Sequence, residues 1–545
     1  MHRFASEQEL DAYVAEAEAE AAKQGCDKGA NGDSYNAGGV PGAGPPNENV
    51  TNNQENGVDE GGIVKNIGNY LVVLRKGRLF AADVRDGRAP ASSDSVRVAR
   101  TDALNRGVWY DEMLVKGDLI YVVGYRYAVP GFRGATEIDT FRLTAGKLER
   151  LKTMFLESND YYSGRNYASR MVDGKLLFYM PHLIGRRDAA LAYPRLLEMN
   201  DEGQVRAVGP LFGALDVTTS LHRPIFPTFH TIVRCELPAS GELACDAKSV
   251  IGGWWRETYV STNAVYLWAS SHVYRFDFAS LDVTTHRANG SPLDQFSFRE
   301  SRGELLVAVN AESKASLASL PLAAFDKKGL QDVEARALAP GHLATNRFVG
   351  DVLVASVSGE GARLVTLDAR TGAISSAPAE GIVRVEPLGD RRALVVSRAR
   401  SGLRLRALSV DDVEHPLGEL ALEGLTQGEG RSHGFFYKPG AGQAGTFGYA
   451  VINEPRSGAN WGWGNGISNL GFFDVAPDGA LAPLGIVSAG NVASPCETSC
   501  VDWYGNTRPI FLRDRAFALM GSELAELSLR PAAARIGAAV VLTSN

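Results

Sequence analysis

From residue 51 onward, apolar residues do not recur at helical spacing. They come in short runs cut by Gly, Asp or Asn, as expected for strands joined by tight turns. One unit repeats: a strand, a turn with Gly or Asp, a strongly apolar strand, a short turn, then a strand often ending near Asp. It appears as NIGNYLVVLRKGRLFAADV at 66–84, MLVKGDLIYVVGY at 113–125 and MVDGKLLFYM at 171–180. It recurs at 260–278, 301–311, 347–368 and 384–408, in degenerate form at 435–452, and closes at 511–529. The second strand of each unit (YLVVL, LIYVV, LLFYM, VLVAS, ALVVS) is apolar with little alternation, so both its faces must be covered. Strand units recurring roughly every 40 to 50 residues predict blades stacked face to face around an axis. The gap between the third and fourth copies predicts an insertion at about 181–229, with HTIVRCEL and ACDAKSV completing the blade.

The fold class expected is therefore all-β: a single large β-propeller of about eight or nine four-stranded blades over residues 51–545, with a short N-terminal α-helix. Nine copies need not give nine blades, because the first and last can share one. The helix is expected within 1–24, where Ser6 and Glu9 have capping-box spacing and Leu10, Val14 and Ala17 form a thin apolar stripe. It either lies against the main body or serves as a tether. Residues 25–50 read as a flexible Gly/Asn/Pro-rich linker.

Composition sharpens this picture. The chain has 545 residues and 59 glycines, an excess that many turns explain. A net charge of −7 argues against a nucleic-acid partner. No apolar run is long enough to span a bilayer as a helix. The N-terminus has no apolar h-region, so the chain is either cytoplasmic or preceded by a leader outside it. Five cysteines bear on that choice. Cys235 and Cys245 flank a hairpin signal, and Cys496 and Cys500 lie close together; two local pairs suggest disulfides and an oxidising compartment. Free thiols or a metal site are the competing readings, although no histidine lies near either pair in sequence. Cys26 has no evident partner.

The stretch TNNQENGVDEGGIVK opens the first repeat. In Thr51, Asn52, Gln54, Gly57, Val58, Asp59, Glu60, Ile63, Val64 and Lys65 it resembles the opening motif of secreted bacterial and archaeal β-propeller-domain proteins, distantly related to WD-type repeats. ASRMVDGKLLFYM, HTIVRCEL, NRFVGDVLVASV and IFLRDRAFALMGSELAELSL extend the likeness over roughly 51–545. One departure is Gly62, where the family usually has Asp. The resemblance implies a propeller and export, hence a secreted, periplasmic or cell-surface location. It implies no reaction.

Candidate ligand-binding residues are Trp109, Trp254, Trp255, Trp461, Trp463 and Trp503, which fall in loops or at the entrance to a blade, with Arg256 and His433 as polar companions. Gathered on one loop face, aromatic side chains give large contact area to a protein, peptide or glycan. Alternatively they wedge between blades. Trp268 sits inside a core strand. Weak catalytic candidates are Asp59, Glu60 and Glu257, for a hydrolase or lyase with carboxylates near the channel. Asp59 and Glu60 could equally tie the ring together. GAGQAG at 440–445 precedes a strand rather than a helix, so it does not predict a dinucleotide site. No nucleophile elbow, P-loop, EF-hand loop or zinc-protease motif is present. The leading expectation is a monomeric, non-enzymatic binding module without cofactor or metal.

Overall fold

The computed structural model describes every residue outside 24–49, 101–106, 128–133, 160–168, 188–189, 221–223, 225–226, 327, 329–334, 360, 454–467, 491–504, 531–532 and 543–545. Each of the nine sequence repeats occupies its own antiparallel sheet. Blade 1 covers 64–97, blade 4 covers 256–287, blade 6 covers 342–378, blade 7 covers 382–423 and blade 9 covers 507–541; each has four strands in chain order. Blades 5 (291–340) and 8 (425–487) keep that order but have the innermost strand split into two short pieces. The inner strand lies first in sequence. Alternating strand direction therefore brings the connections between blades, and those between second and third strands, to one face of the ring.

The second strands explain why the blades stack. Leu119–Arg126 and Ala264–Ala269 are buried at every position, so each packs a neighbour on both sides. Apolar clusters join every successive pair of blades, as in Leu394, Val396 and Leu405 of blade 7 with Phe447 and Phe473 of blade 8. The ring closes the same way: Ile510, Leu512, Phe517 and Leu519 of blade 9 pack on Val64, Leu71, Val73 and Phe80 of blade 1. Burying each such side chain contributes about 1.5–3 kcal/mol. The first and last repeats thus form separate blades, and among the described residues the ring has nine.

The expected insertion is not a free loop. Arg195–Met199 and Val205–Pro210 add two strands to the outside of blade 2 (108–157), making it six-stranded. Blade 3 is built on Ser169–Val172, Lys175–Leu183, Thr228–Glu236 and Ala244–Gly252. Val217–Thr219 joins its outer edge in parallel, and His2–Arg3 pairs beyond that. The helix Glu7–Lys23 follows. Ser6 Oγ accepts from the Glu9 amide at 3.2 Å, and Glu9 Oε2 accepts from the Ala5 amide at 2.6 Å. The thin stripe of Leu10, Val14 and Ala17 is buried, Leu10 and Val14 packing with Phe4 and Phe212 in the core shared by blades 2 and 3. This helix lies against the main body.

The motif segment 50–63 forms a hub on the axis. Val50 packs with blades 1 and 9. Asn52 Nδ2 donates to Ser432 O beside blade 8 at 3.3 Å. Gln54 Nε2 donates to Gln295 O of blade 5 at 2.9 Å. Glu55 accepts from Tyr259 of blade 4 at 2.8 Å and from Arg299 of blade 5 at 2.6 Å. Val58–Glu60 pairs with Arg170–Val172 as the innermost strand of blade 3. Gly62 bridges Met113 of blade 2. Only a segment at the centre of the ring can reach this many inner strands.

Candidate functional site

Two regions gather chemically capable side chains: the hub and a lip between blades 3 and 4 on the loop face. In the hub, Lys65 Nζ donates to Asp59 Oδ1 at 2.7 Å, Thr51 Oγ1 at 2.9 Å and Glu60 O at 2.6 Å. Glu60 is buried, accepts from the Gln54 amide at 3.1 Å and lies 3.9 Å from Arg170. Burial opposes its ionisation, but Arg170, His433 and the Gln54 amide together outweigh burial and hold its pKa at about 2. His433 lies 3.6 Å from Glu60 and is itself buried. Burial drives its pKa down to about 4, so it is neutral at neutral pH and adds charge to this pair only in acid. A Cβ at Gly61 would come within 2.5 Å of Glu112 Oε2, so a larger residue there would have to displace the Glu112 carboxylate.

Between blades 7 and 8 the network continues. Arg384 donates to Glu386 at 2.8 Å, to Glu429 O at 2.7 Å and to Arg431 O at 3.0 Å. The Arg384 and Glu386 side chains are fully buried. Burial raises the Glu386 pKa to about 7 against the pull of Arg384 and Arg347.

The lip is built differently. Trp254 and Trp255 lie in the connection from blade 3 to blade 4 and are 45% and 38% exposed. Arg256 opens the first strand of blade 4, Arg256–Val260. Its Cζ sits 4.6 Å over the Trp254 ring and 5.6 Å over the Tyr179 ring, and its Nη1 donates to Trp254 O at 3.3 Å. Tyr179 is half-buried on blade 3 and its hydroxyl lies 2.8 Å from His230 Nδ1. His230 Nε2 lies 2.8 Å from Gly253 O. A carbonyl only accepts, so Nε2 carries the proton and Nδ1 accepts from Tyr179. Burial, reinforced by the charge of Arg256, lowers the His230 pKa to about 3 and keeps this tautomer neutral.

Below the lip is a narrow cleft lined by Leu177, Tyr179, Ile232, Thr258, Val260 and Val265, with Arg170 toward the axis. Strand alternation separates Arg256, Thr258 and Val260 from Glu257 and Tyr259. Val260 packs with blade 3, whereas Tyr259 packs with blade 5. Glu257, half-buried and paired in register with Trp268, faces away from the cleft.

The structure therefore brings together Trp254, Trp255 and Arg256 of the predicted site residues. Two others require correction as surface binders. Trp109 is only 7% exposed and packs in the core of blades 2 and 3, 6.4 Å from the Tyr125 ring. His433 is held inside the hub with Glu60. Both follow the pull of burial at the inner strands, where an open side chain would leave the ring unfilled. Trp268 is fully buried, as its strand position predicts. Trp461, Trp463, Trp503, Cys26, Cys496 and Cys500 lie outside the described residues. Cys235 and Cys245 face each other in register on adjacent strands and are disulfide-bonded, with Cα atoms 4.0 Å apart. Among the described residues, no three His, Cys, Asp or Glu side chains are grouped to hold a metal ion.

Sequence reasoning missed Tyr179 and His230. A histidine inside the otherwise apolar strand FHTIV is the available signal, since a buried imidazole needs partners. Its partners lie 51 and 23 residues away, in other elements.

Among solved structures, apo AztD from Citrobacter koseri is similar at 11% identity, covering 87% of this chain and 94% of its own, with a TM-score of 0.34. The β-propeller domain of the Trilobed protease from Pyrococcus furiosus is similar at 10% identity, covering 68% and 93%, with a TM-score of 0.32. The dihydro-heme d1 dehydrogenase NirN in complex with DHE is similar at 12%, covering 65% and 73%, with a TM-score of 0.30. No curated protein matches the chain in sequence. The family described as Beta propeller domain matches residues 49–354, from the start of the hub into blade 6. With more than half of its length matched, nine stacked sheets and the hub motif in place, the chain belongs to the Beta propeller domain family.

Proposed function

We propose that the protein is a non-enzymatic, extracytoplasmic binding module that takes a protein, peptide or glycan at the lip between blades 3 and 4. The observation that carries this reading is the exposed pair Trp254–Trp255, with the Arg256 guanidinium stacked between the Trp254 and Tyr179 rings. Exposed indoles in a monomeric ring give large contact area at low entropic cost, and a fixed guanidinium adds direction. The Cys235–Cys245 disulfide supports a location outside the cytoplasm. A hydrolytic reading is weaker. Asp59 and Glu60 are spent on Lys65, Gln54 and Arg170, and Glu257 faces away from the cleft.

The test is a screen of the full chain against peptide and oligosaccharide arrays, beside a Trp254→Ala, Trp255→Ala double variant. Binding by the parent and its loss in the folded double variant is the expected result. Unchanged binding by the double variant overturns the proposed site. Turnover abolished by Glu257→Gln or Asp59→Asn overturns the non-enzymatic reading.

A further inference from the structure

The interface of blades 1 and 2 buries two carboxyl groups side by side. Glu137 and Asp139 lie two residues apart on the strand Ala135–Thr144, so both project from the face that packs on blade 1, as Phe141 does. Neither is more than 1% exposed. Glu137 accepts from the Tyr110 hydroxyl at 2.8 Å and from Arg126 Nε at 2.6 Å. Asp139 Oδ1 accepts from the Thr153 hydroxyl at 2.6 Å and from Arg150 Nη1. Arg150 Nη2 donates in turn to the Arg97 carbonyl of blade 1 at 2.8 Å and to the Val98 carbonyl just beyond it. Blade 1 meets this face with the apolar side chains of Val72, Leu74 and Leu79.

Asp139 Oδ2 is fully buried, and among the described residues no N–H or O–H group donates to it. Its neighbour is the Glu137 carboxyl, with which Asp139 hydrogen-bonds. Two carboxyl groups bond to each other only when one of them holds a proton. Glu137 already faces a guanidinium and a phenol, so it is the charged partner and the proton sits on Asp139 Oδ2. Burial and the adjacent Glu137 charge push Asp139 far above the usual carboxylate range, against the pull of Arg150. Burial keeps Tyr110 a neutral donor.

We propose that Glu137 and Asp139 share one proton that latches blade 1 to blade 2, and that losing it in alkali parts the two blades locally. The proton passes to water or hydroxide, and no bond between heavy atoms breaks. Without it, two carboxylates face each other in a site closed to solvent, and Asp139 Oδ2 has nothing to bond. Water hydrates them only if the strand face lifts off blade 1. In the opened state Asp139 titrates as an ordinary aspartate. Between that value and its raised one, the closed interface holds a proton that the open one does not. Rising pH therefore favours opening, and acid favours closure.

Asp139→Asn tests this in the full chain. Its amide donates to Glu137 and accepts from Thr153 and Arg150 as the protonated acid does, but it does not titrate. Amide hydrogen exchange over Val108–Lys116 and Ala135–Thr144 is compared in parent and variant at each pH, which cancels the intrinsic pH dependence of exchange. The ratio of parent to variant rate should rise about tenfold per pH unit until Asp139 has lost its proton. Infrared spectra of parent protein labelled with carbon-13 aspartate should show a protonated-carboxyl band near neutral pH that disappears in alkali. The aspartate label keeps Glu386 out of that band, and the measurement needs no variant, so it decides the matter even if Asp139→Asn does not fold. Absence of the band overturns the inference. So does an exchange ratio that does not change with pH, or a variant destabilised equally at every pH, which would mean that Asp139 is needed as a carboxylate.

Discussion

The hub and the lip both gather arginine and aromatic side chains, and they are built in opposite ways. In the hub, Glu60, Lys65, Arg384 and Glu386 are all nearly inaccessible; Glu60 reaches Arg170 and His433 far away in sequence, Lys65 is held within the motif, and Arg384 ties blade 7 to blade 8. At the lip, the indoles of Trp254 and Trp255 are partly in solvent, and the Arg256 guanidinium lies against the Trp254 and Tyr179 ring faces. The hub uses charge to specify where the inner strands of several blades meet. The lip uses a fixed scaffold to present two partly exposed indoles. A motif rich in Asp and Glu is thus a poorer guide to a ligand than two tryptophans in an ordinary connection.

The largest expected effect breaks the hub. Arg384→Met leaves Glu386 buried beside an apolar side chain and removes donors to Glu429 O and Arg431 O. Removing one partner of a buried pair costs about 3–5 kcal/mol. Thermal or urea unfolding should show this loss. A melting temperature unchanged from the parent would mean that the hub does not hold the ring.

Acid sharpens the comparison, because each region holds one buried neutral histidine. Unfolded histidines titrate near 6.5, while folded His433 and His230 titrate at about 4 and about 3. Between those values the unfolded chain binds protons that the folded chain does not, so stability falls as pH drops from about 6.5 to about 3. Glu60 adds a loss of the same sign lower down, from about 4.5 to about 2. Glu386 acts oppositely: its raised pKa makes stability fall as pH rises from about 4.5 to about 7. At 1.36 kcal/mol per pKa unit, His433 accounts for at most about 3 kcal/mol and His230 for at most about 5 kcal/mol over their windows. His433→Asn and His230→Asn should each flatten the dependence of urea midpoint on pH. An unchanged slope in both would contradict the burial argument.

The disulfide is next in size. It joins the strands of blade 3 that also carry His230, yet sits at the opposite end of the hairpin pair from the lip. Cys235→Ser with Cys245→Ser should lower stability by about 2 kcal/mol, toward the lower end for a short loop already held by strand pairing. Ligand binding at the lip should be unaffected. A loss of binding at full folding would show that the hairpin positions Tyr179 and His230.

Sequence and structure part company for physical reasons. The nine repeats were legible because each unit's second strand must be apolar on both faces, a local constraint repeated in the chain. The destination of the insertion was not legible: Arg195–Met199 reads as a strand anywhere, and only packing sends it back to blade 2. The exposed Trp254 and Trp255 were legible as loop tryptophans, but so was Trp109, which burial takes into the core. Tyr179 and His230 were invisible as a pair because their meeting depends on strand register across blade 3.

The smallest stability effect is the one that separates the two regions. Trp255 is 38% exposed and Trp254 is 45% exposed, so truncating either removes part of an indole's packing but opens no cavity inside the ring. Trp255→Ala should lower unfolding free energy by about 1–2 kcal/mol, the scale of a partly buried side chain. Trp254→Ala should cost slightly more, because Arg256 loses one of its two ring faces, an interaction of about 0.5–1 kcal/mol at exposed sites. Both variants should lose ligand binding while melting close to the parent, the inverse of Arg384→Met. If Trp255→Ala instead destabilised the protein as strongly as the hub variant, the lip would be part of the ring's structure and its exposure would carry no functional meaning.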